Sequence, residues 1–293
     1  MYKEITIDPE CLSDYSYFTL LKTGFGFEKG RYLSVPLKQW TNEAFRAVKA
    51  SDITDVKQKS VKHFLNKLKK GDIPDLVVVA DDRREITTSQ QEQWQTWYPL
   101  QEGHRLFAAK FKEPAEHGFI CYEDVLEDHD KWRIPPSVQV LKTKIDIIKA
   151  IKPILAISSD VTIIDQYFKF GSNPVLLTIL SLCATYEIKS IRIVTSIETA
   201  NPQDVFIREY RGLIADLPSI ELIVIPNKFI HDRYLITDSA AIKSGHGFGE
   251  EPLKNAPSDY TSLSLVSKEE RLKVIKSTER YLHDNPQAMM QFN

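Results

Sequence analysis

Two consecutive prolines, Pro135 and Pro136, constrain this chain more than any other local feature. A Pro-Pro pair can continue neither a helix nor a central strand, because each ring fixes φ and removes a backbone donor. The pair follows the polar run 127–133, so it marks a linker or a domain edge. With 293 residues to divide, the expected organisation is one unit over residues 1–135 and a second over residues 137–293.

The two halves carry different patterns. In the first, the spacing predicts an amphipathic helix over 55–70, with Val61, Phe64, Leu65 and Leu68 on one face and Gly71 as its stop. A β-branched run at 76–80 predicts a buried strand, 87–97 a helix ending before Pro99, and 106–111 and 118–122 two short strands. This half is expected to be α+β. The second half alternates. It predicts a helix over 138–156 with a break near Pro153, a strand at 161–164, a helix over 173–186 and a strand at 190–194. A helix over 202–217 follows, then strands at 220–225, 232–237, 240–243 and 261–266, and a closing helix over 268–283. Such a series implies the α/β class, with a mixed sheet flanked by helices in the C-terminal unit.

Charge and cysteine content exclude several classes. The chain has 38 basic and 40 acidic residues, a formal net charge of -2, and the balance holds in both halves. A protein coating nucleic acid through bulk positive charge is therefore excluded, and any phosphate binding must be focused at a local site. Cys11, Cys121 and Cys183 lack CxxC spacing, and His104, His117 and His129 are loosely spaced, so neither a disulfide framework nor a metal is expected. No glycine-rich nucleotide loop occurs, and no cofactor is expected. The opening MYKEITIDPE has no apolar core, and the apolar stretch 174–184 is too short to span a bilayer. A cytoplasmic protein is expected. The lysines of 57–70 read first as a solvated helix face and second as a surface that tracks a nucleic-acid backbone. Trp94, Trp97 and Tyr98 read first as core and second as a stacking platform for bases.

The segment that carries chemistry is Ile230-His231-Asp232-Arg233-Tyr234-Leu235-Ile236-Thr237-Asp238, continuing to Gly245-His246-Gly247-Phe248. On a strand, His231, Arg233 and Leu235 would share one face, with Asp232 and Tyr234 on the other. A histidine beside an arginine suits a phosphate: the guanidinium binds two oxygens while imidazole attacks phosphorus or moves a proton. Asp238, at the strand end, is placed to hold the imidazole tautomer or to neutralise the arginine. The plain alternative is a structural ion pair.

His231-x-Arg233-x4-Asp238-x6-Gly245 resembles the HxK(x4)D(x6)G signature of the phospholipase D superfamily, with arginine in place of lysine. The stretch Asp160-Val-Thr-Ile-Ile-Asp165-Gln-Tyr167-Phe168 looks like the strand and acidic turn that open such a domain, and residues 176–196 like its helix and second strand. The whole is most similar to the phospholipase-D-like domain at the C-terminus of MIT (microtubule-interacting and trafficking) proteins and its prokaryotic relatives. The match runs over about 160–250.

That resemblance implies catalytic roles for His231, Arg233 and Asp238. Asp165, Tyr167 and Lys169 would lie at the pocket rim, because ligands gather at the carboxyl ends of parallel strands. Thr195 and Ser196 would sit beside them, and Gly245 and His246 would follow the motif. For Asp165, Thr195 and Ser196 the alternative is ordinary strand-end capping. Superfamily hydrolases bring two such motifs together, and this chain has one. The usual Ser and Asn after the motif are replaced by His246 and Phe248. The enzymatic implication is a metal-independent phosphodiesterase or DNA-directed nuclease acting as a homodimer in prokaryotic antiviral defence. His231 of one copy would form a phosphohistidine and His231 of the other would protonate the leaving oxygen. The MIT-associated implication is a dimerising, non-hydrolytic module that binds nucleic acid, an anionic membrane or other protein subunits.

Overall fold

The computed structural model describes residues 1–76, 93–103 and 105–293. The chain is of the α/β class and divides into two compact units, Tyr2–Ile134 and Pro135–Asn293.

The N-terminal unit runs β1 (Lys3–Ile7), α1 (Tyr15–Gly24), β2 (Arg31–Leu33), α2 (Leu37–Ala50), α3 (Asp55–Lys70), α4 (Trp94–Gln101), β3 (Phe107–Phe111) and α5 (Tyr122–Leu126). Its strands form a parallel sheet in the order β2-β1-β3, with helices between consecutive strands as parallel pairing requires. Val61, Phe64, Leu65 and Leu68 are the buried residues of α3, and Gly71 ends it at φ 77. Trp94 and Trp97 are each 1% exposed, so they are core residues and not a stacking surface. Their polar edges are used: Trp94 Nε1 donates to Thr6 Oγ1 at 2.8 Å, and Trp40 Nε1 to the Ile7 carbonyl at 2.6 Å. Arg105 and Glu4 form a buried ion pair at 3.0 Å, with Ser34 Oγ accepting from the same Arg105 nitrogen at 2.8 Å.

Two expectations for this half need revision. Helix α4 includes Pro99 instead of stopping before it. In so short a helix the proline forfeits one internal bond, and the buried Trp94 and Trp97 before it and Gln101 after it anchor the segment. The stretch 118–122 makes one bridge, Ile120 to Phe111, and then turns into α5. The strand expected at 76–80 and the start of the helix expected at 87–97 fall largely outside the described residues, as does His104.

The C-terminal unit runs β4 (Ser137–Leu141), α6 (Lys144–Leu155), β5 (Asp160–Ile164), α7 (Pro174–Thr185), β6 (Ser190–Thr195), α8 (Pro202–Phe206, extended by a π-helical turn Ile207–Arg211), β7 (Ser219–Val224), β8 (Arg233–Thr237), β9 (Ala241–Ser244), β10 (Tyr260–Leu265), α9 (Lys268–Asp284) and β11 (Met289–Phe292). These strands make one mixed sheet in the order β11-β7-β6-β5-β8-β9-β10-β4. β5, β6 and β7 are mutually parallel, and every other pairing is antiparallel.

The helix expected over 138–156 is two elements. Val138 and Val140 alternate with Ser137 and Gln139 in β4, and Thr143 then caps α6 by accepting from Asp146 N at 3.1 Å. Pro153 sits inside α6 without breaking it. The helix expected over 202–217 ends at Arg211. The strand β11 has no counterpart among the expectations; its four residues pair with β7.

Register places Val161, Ile163, Ile191, Ile193, Leu222 and Leu235 on one face of the sheet, each at most 1% exposed. The other face carries Thr162, Ile164, Arg192, Tyr234 and Ile236, and α9 lies over it. Among the described residues, no helix is long and apolar enough to cross a membrane. Helix α7 begins where Asn173 Oδ1 accepts from both Val175 N and Leu176 N, at 3.1 and 3.0 Å. Replacing this cap, Asn173→Ala, should lower stability by about 1 kcal/mol in urea denaturation, with Asn173→Asp near neutral.

Candidate functional site

The site is built where β5 and β6 end and β8 begins. Asp165 follows the last residue of β5 and is 3% exposed, so its carboxylate must be satisfied internally. Oδ1 accepts from Tyr167 N at 3.0 Å and Oδ2 from Phe248 N at 2.9 Å. Arg233 Nε lies 3.6 Å from Oδ1, an ion-pair distance too long for a hydrogen bond. Gly247 makes the approach of the 245–248 loop possible. Its φ is +92°, and a Cβ there would collide with Asp165 Oδ2.

Arg233 is fixed on several sides. Nη1 donates to the Gly245 carbonyl at 2.9 Å. The Gln166 carboxamide, oriented so that its nitrogen donates to Ile230 O (2.8 Å) and Asn227 Oδ1 (2.7 Å), accepts from Arg233 Nη2 at 3.2 Å. The Tyr167 ring lies 5.5 Å from the guanidinium carbon, within cation–π range. Thr195 and Ser196 act one step back. Ser196 N donates to Gln166 O at 3.1 Å and Thr195 Oγ1 to the same oxygen at 3.4 Å, so the end of β6 holds the Gln166 backbone. Asp165, Tyr167 and His246 line a pocket of about 690 Å³ with Lys169 and Glu250; Glu251, also on its wall, pairs with Lys142 at 2.8 Å.

His231, two residues before Arg233, is exposed. It precedes β8, so strand alternation does not govern it, and it lines a separate cavity together with Asp232, Tyr234 and residues of α9. Arg233 is not among the residues of that cavity. Asp238 neither orients an imidazole nor neutralises Arg233. It sits beyond the other end of β8, roughly 16 Å along at strand rise, and accepts from Ser159 N at 2.8 Å and Ser159 Oγ at 3.1 Å. Distance along the strand separates it from the arginine, and Asp165 is the carboxylate beside the guanidinium.

The structure thus gathers Asp165, Tyr167, Arg233 and Gly245, with His246 on the adjoining pocket. It gives Thr195 and Ser196 a supporting place and sets Asp238 apart, bonded to Ser159. Gln166 and the Phe248 amide were not singled out by the sequence. Gln166 stands between two residues that were, and Gly247-Phe248 adjoins the motif, but the contacts span β5, β8 and the loop after β9. Elsewhere, Glu113, Cys121 and Glu123 form a group whose ligand atoms lie within 4.8 Å of one another; Glu113 already accepts from Tyr17 OH. No protein-family model matches the chain, and no curated protein matches it.

Burial holds the Asp165 carboxyl above the ordinary aspartate value of 3.8, outweighing the two backbone N–H donors and Arg233 that pull it down. In the window from 3.8 up to its raised value, the folded chain keeps a proton that the unfolded chain has released. Stability from this group is therefore full below pH 3.8 and falls as pH rises through the folded value. Denaturant midpoints measured across the acidic range should show that fall in the wild type and lose it in Asp165→Asn. Gly247→Ala should cost on the order of 2 kcal/mol, through both the collision and the positive φ, as read by thermal denaturation.

Proposed function

We propose that the C-terminal unit is a phosphate-recognition module, with nucleic acid as its preferred ligand and Arg233 as its anion contact. One observation carries this reading: the Arg233 guanidinium is held by Gly245, Gln166, Asp165 and Tyr167. Only two of its five N–H groups are spent on Gly245 and Gln166. The side chain is 18% exposed, and Asp165 and Tyr167 continue into the pocket that Lys169 and His246 also line. A preorganised guanidinium binds a phosphate in bidentate fashion at low entropic cost.

Hydrolysis needs a nucleophile in line with the phosphorus that the cation holds. Within one chain, His231 lines a different cavity from the one beside Arg233, and three carboxylates (Asp232, Glu269 and Glu270) share its lining. That separation supports binding over turnover in a monomer. The second reading is a metal-independent phosphodiesterase or nuclease acting as a homodimer. It is favoured by the exposure of His231, which leaves the residue accessible to a second copy. Both readings allow additional protein subunits, and binding to an anionic membrane is the weaker form of the first.

Labelled DNA and RNA oligonucleotides, titrated in EDTA with cleavage followed in the same samples, separate the two. Arg233→Ala should weaken binding by roughly 10- to 100-fold, the loss of a charged hydrogen-bonding group. Arg233→Lys should fall between. With one or two phosphate contacts per chain, log affinity against log salt should have a slope of about -1 to -2. His231→Ala should leave binding unchanged. Cleavage that disappears in His231→Ala would replace the recognition reading with the enzymatic one. Failure to bind any oligonucleotide or inorganic phosphate would remove both.

A further inference from the structure

Helix α9 covers its face of the C-terminal sheet loosely. None of its 17 residues is buried, and Leu272 is 49% exposed. What ties it down is polar. Arg271 Nη2 and Nε donate to the Thr237 carbonyl at 2.8 and 3.1 Å, Glu279 pairs with Arg192, and Glu270 accepts from Tyr234 OH at 2.8 Å. Below the helix a cavity of about 530 Å³ is left, floored by Ile164, Val194 and Ile225.

Three aromatic rings line this cavity: Phe229, Tyr234 and Tyr281. The Phe229 and Tyr281 centroids are 5.1 Å apart with planes at 56°, so the rings form a corner. Asp232, Glu269 and Glu270 line the same space together with Lys273 and His231, and Lys243 lies 3.9 Å from Glu270. Asp232 is paired with Lys243 at 2.8 Å, which holds its carboxyl below the ordinary value. Two of the rings already attract ammonium groups of the protein: Lys228 Nζ lies 5.2 Å from the Phe229 centroid and Lys243 Nζ 5.7 Å from that of Tyr234.

We propose that the cavity beneath α9 binds an organic ammonium cation that carries an apolar body. The π faces and carboxylates favour the positive head, the aliphatic floor takes the body, and the same carboxylates repel phosphate and carboxylate ligands. The proposal is independent of the anion contact at Arg233, which does not line this cavity.

The test uses the full chain and three probes of matched body: benzyltrimethylammonium, benzyl alcohol and phenylacetate, each titrated by calorimetry. The ammonium compound should bind, and the neutral and anionic ones should bind at least tenfold more weakly. Phe229→Leu keeps the apolar volume and removes the π face; it should weaken the ammonium by roughly 3- to 10-fold. Glu269→Gln, on the exposed first turn of α9, should weaken it by about threefold without affecting folding. Val274→Phe, which puts a ring into the cavity, should abolish binding while the thermal midpoint is held or raised. The proposal is overturned if the alcohol or the acid binds as well as the ammonium, or if no probe binds. It is equally overturned if ammonium binding is unchanged in both Phe229→Leu and Glu269→Gln.

Discussion

A single buried carboxylate organises the end of the C-terminal sheet. Asp165 is removed from water at the point where β5 stops, and the cost of that burial is partly offset by two backbone donors and one nearby cation from three separate parts of the chain. The Tyr167 amide fixes the turn after the strand, the Phe248 amide brings in the loop after β9, and Arg233 ties in the start of β8. Each of these is a local adjustment to one requirement. The glycine at 247 is needed because the loop comes so close to the carboxylate. Gln166 can bridge Arg233 to the 227–230 turn because its neighbour is immobilised. The arginine that would meet a ligand is therefore preorganised as a by-product of satisfying an acid.

The unit's two sheet faces follow different rules. One is aliphatic and closed to solvent, so it depends on complementary packing. The other mixes Thr162, Arg192 and Glu221 with Ile164 and Ile236, and its covering helix is attached by ion pairs and hydrogen bonds. Polar ties of this kind are individually weak and exposed to water. A chain with balanced charge overall thereby places opposite preferences within one unit: a cation beside Asp165, and carboxylates around His231.

Much of the secondary structure was legible in periodicity. Helix α3 and its four buried apolar residues, the strands β5 to β8, and the Pro135–Pro136 division all follow from spacing and from proline chemistry. The failures are equally physical. The stretch 138–156 contains a strand and a helix whose apolar residues overlap in period, and only the Thr143 cap marks the junction. At the site, motif spacing reads along one strand, whereas the contacts of Arg233 come from several elements. What assembled around it came from β5, β6 and the 245–248 loop. His231 precedes β8, so the alternation of that strand does not reach it.

Strand β4 is the first element after the proline pair, yet it pairs with β10, which begins at Tyr260. Nearly the whole unit must exist before that ladder can form, and closing so long a loop is costly in chain entropy. During synthesis the segment joining the two units therefore stays untethered on its C-terminal side until almost all that follows has emerged. The N-terminal unit, whose last strand is complete at Phe111, has that interval in which to reach its own structure first.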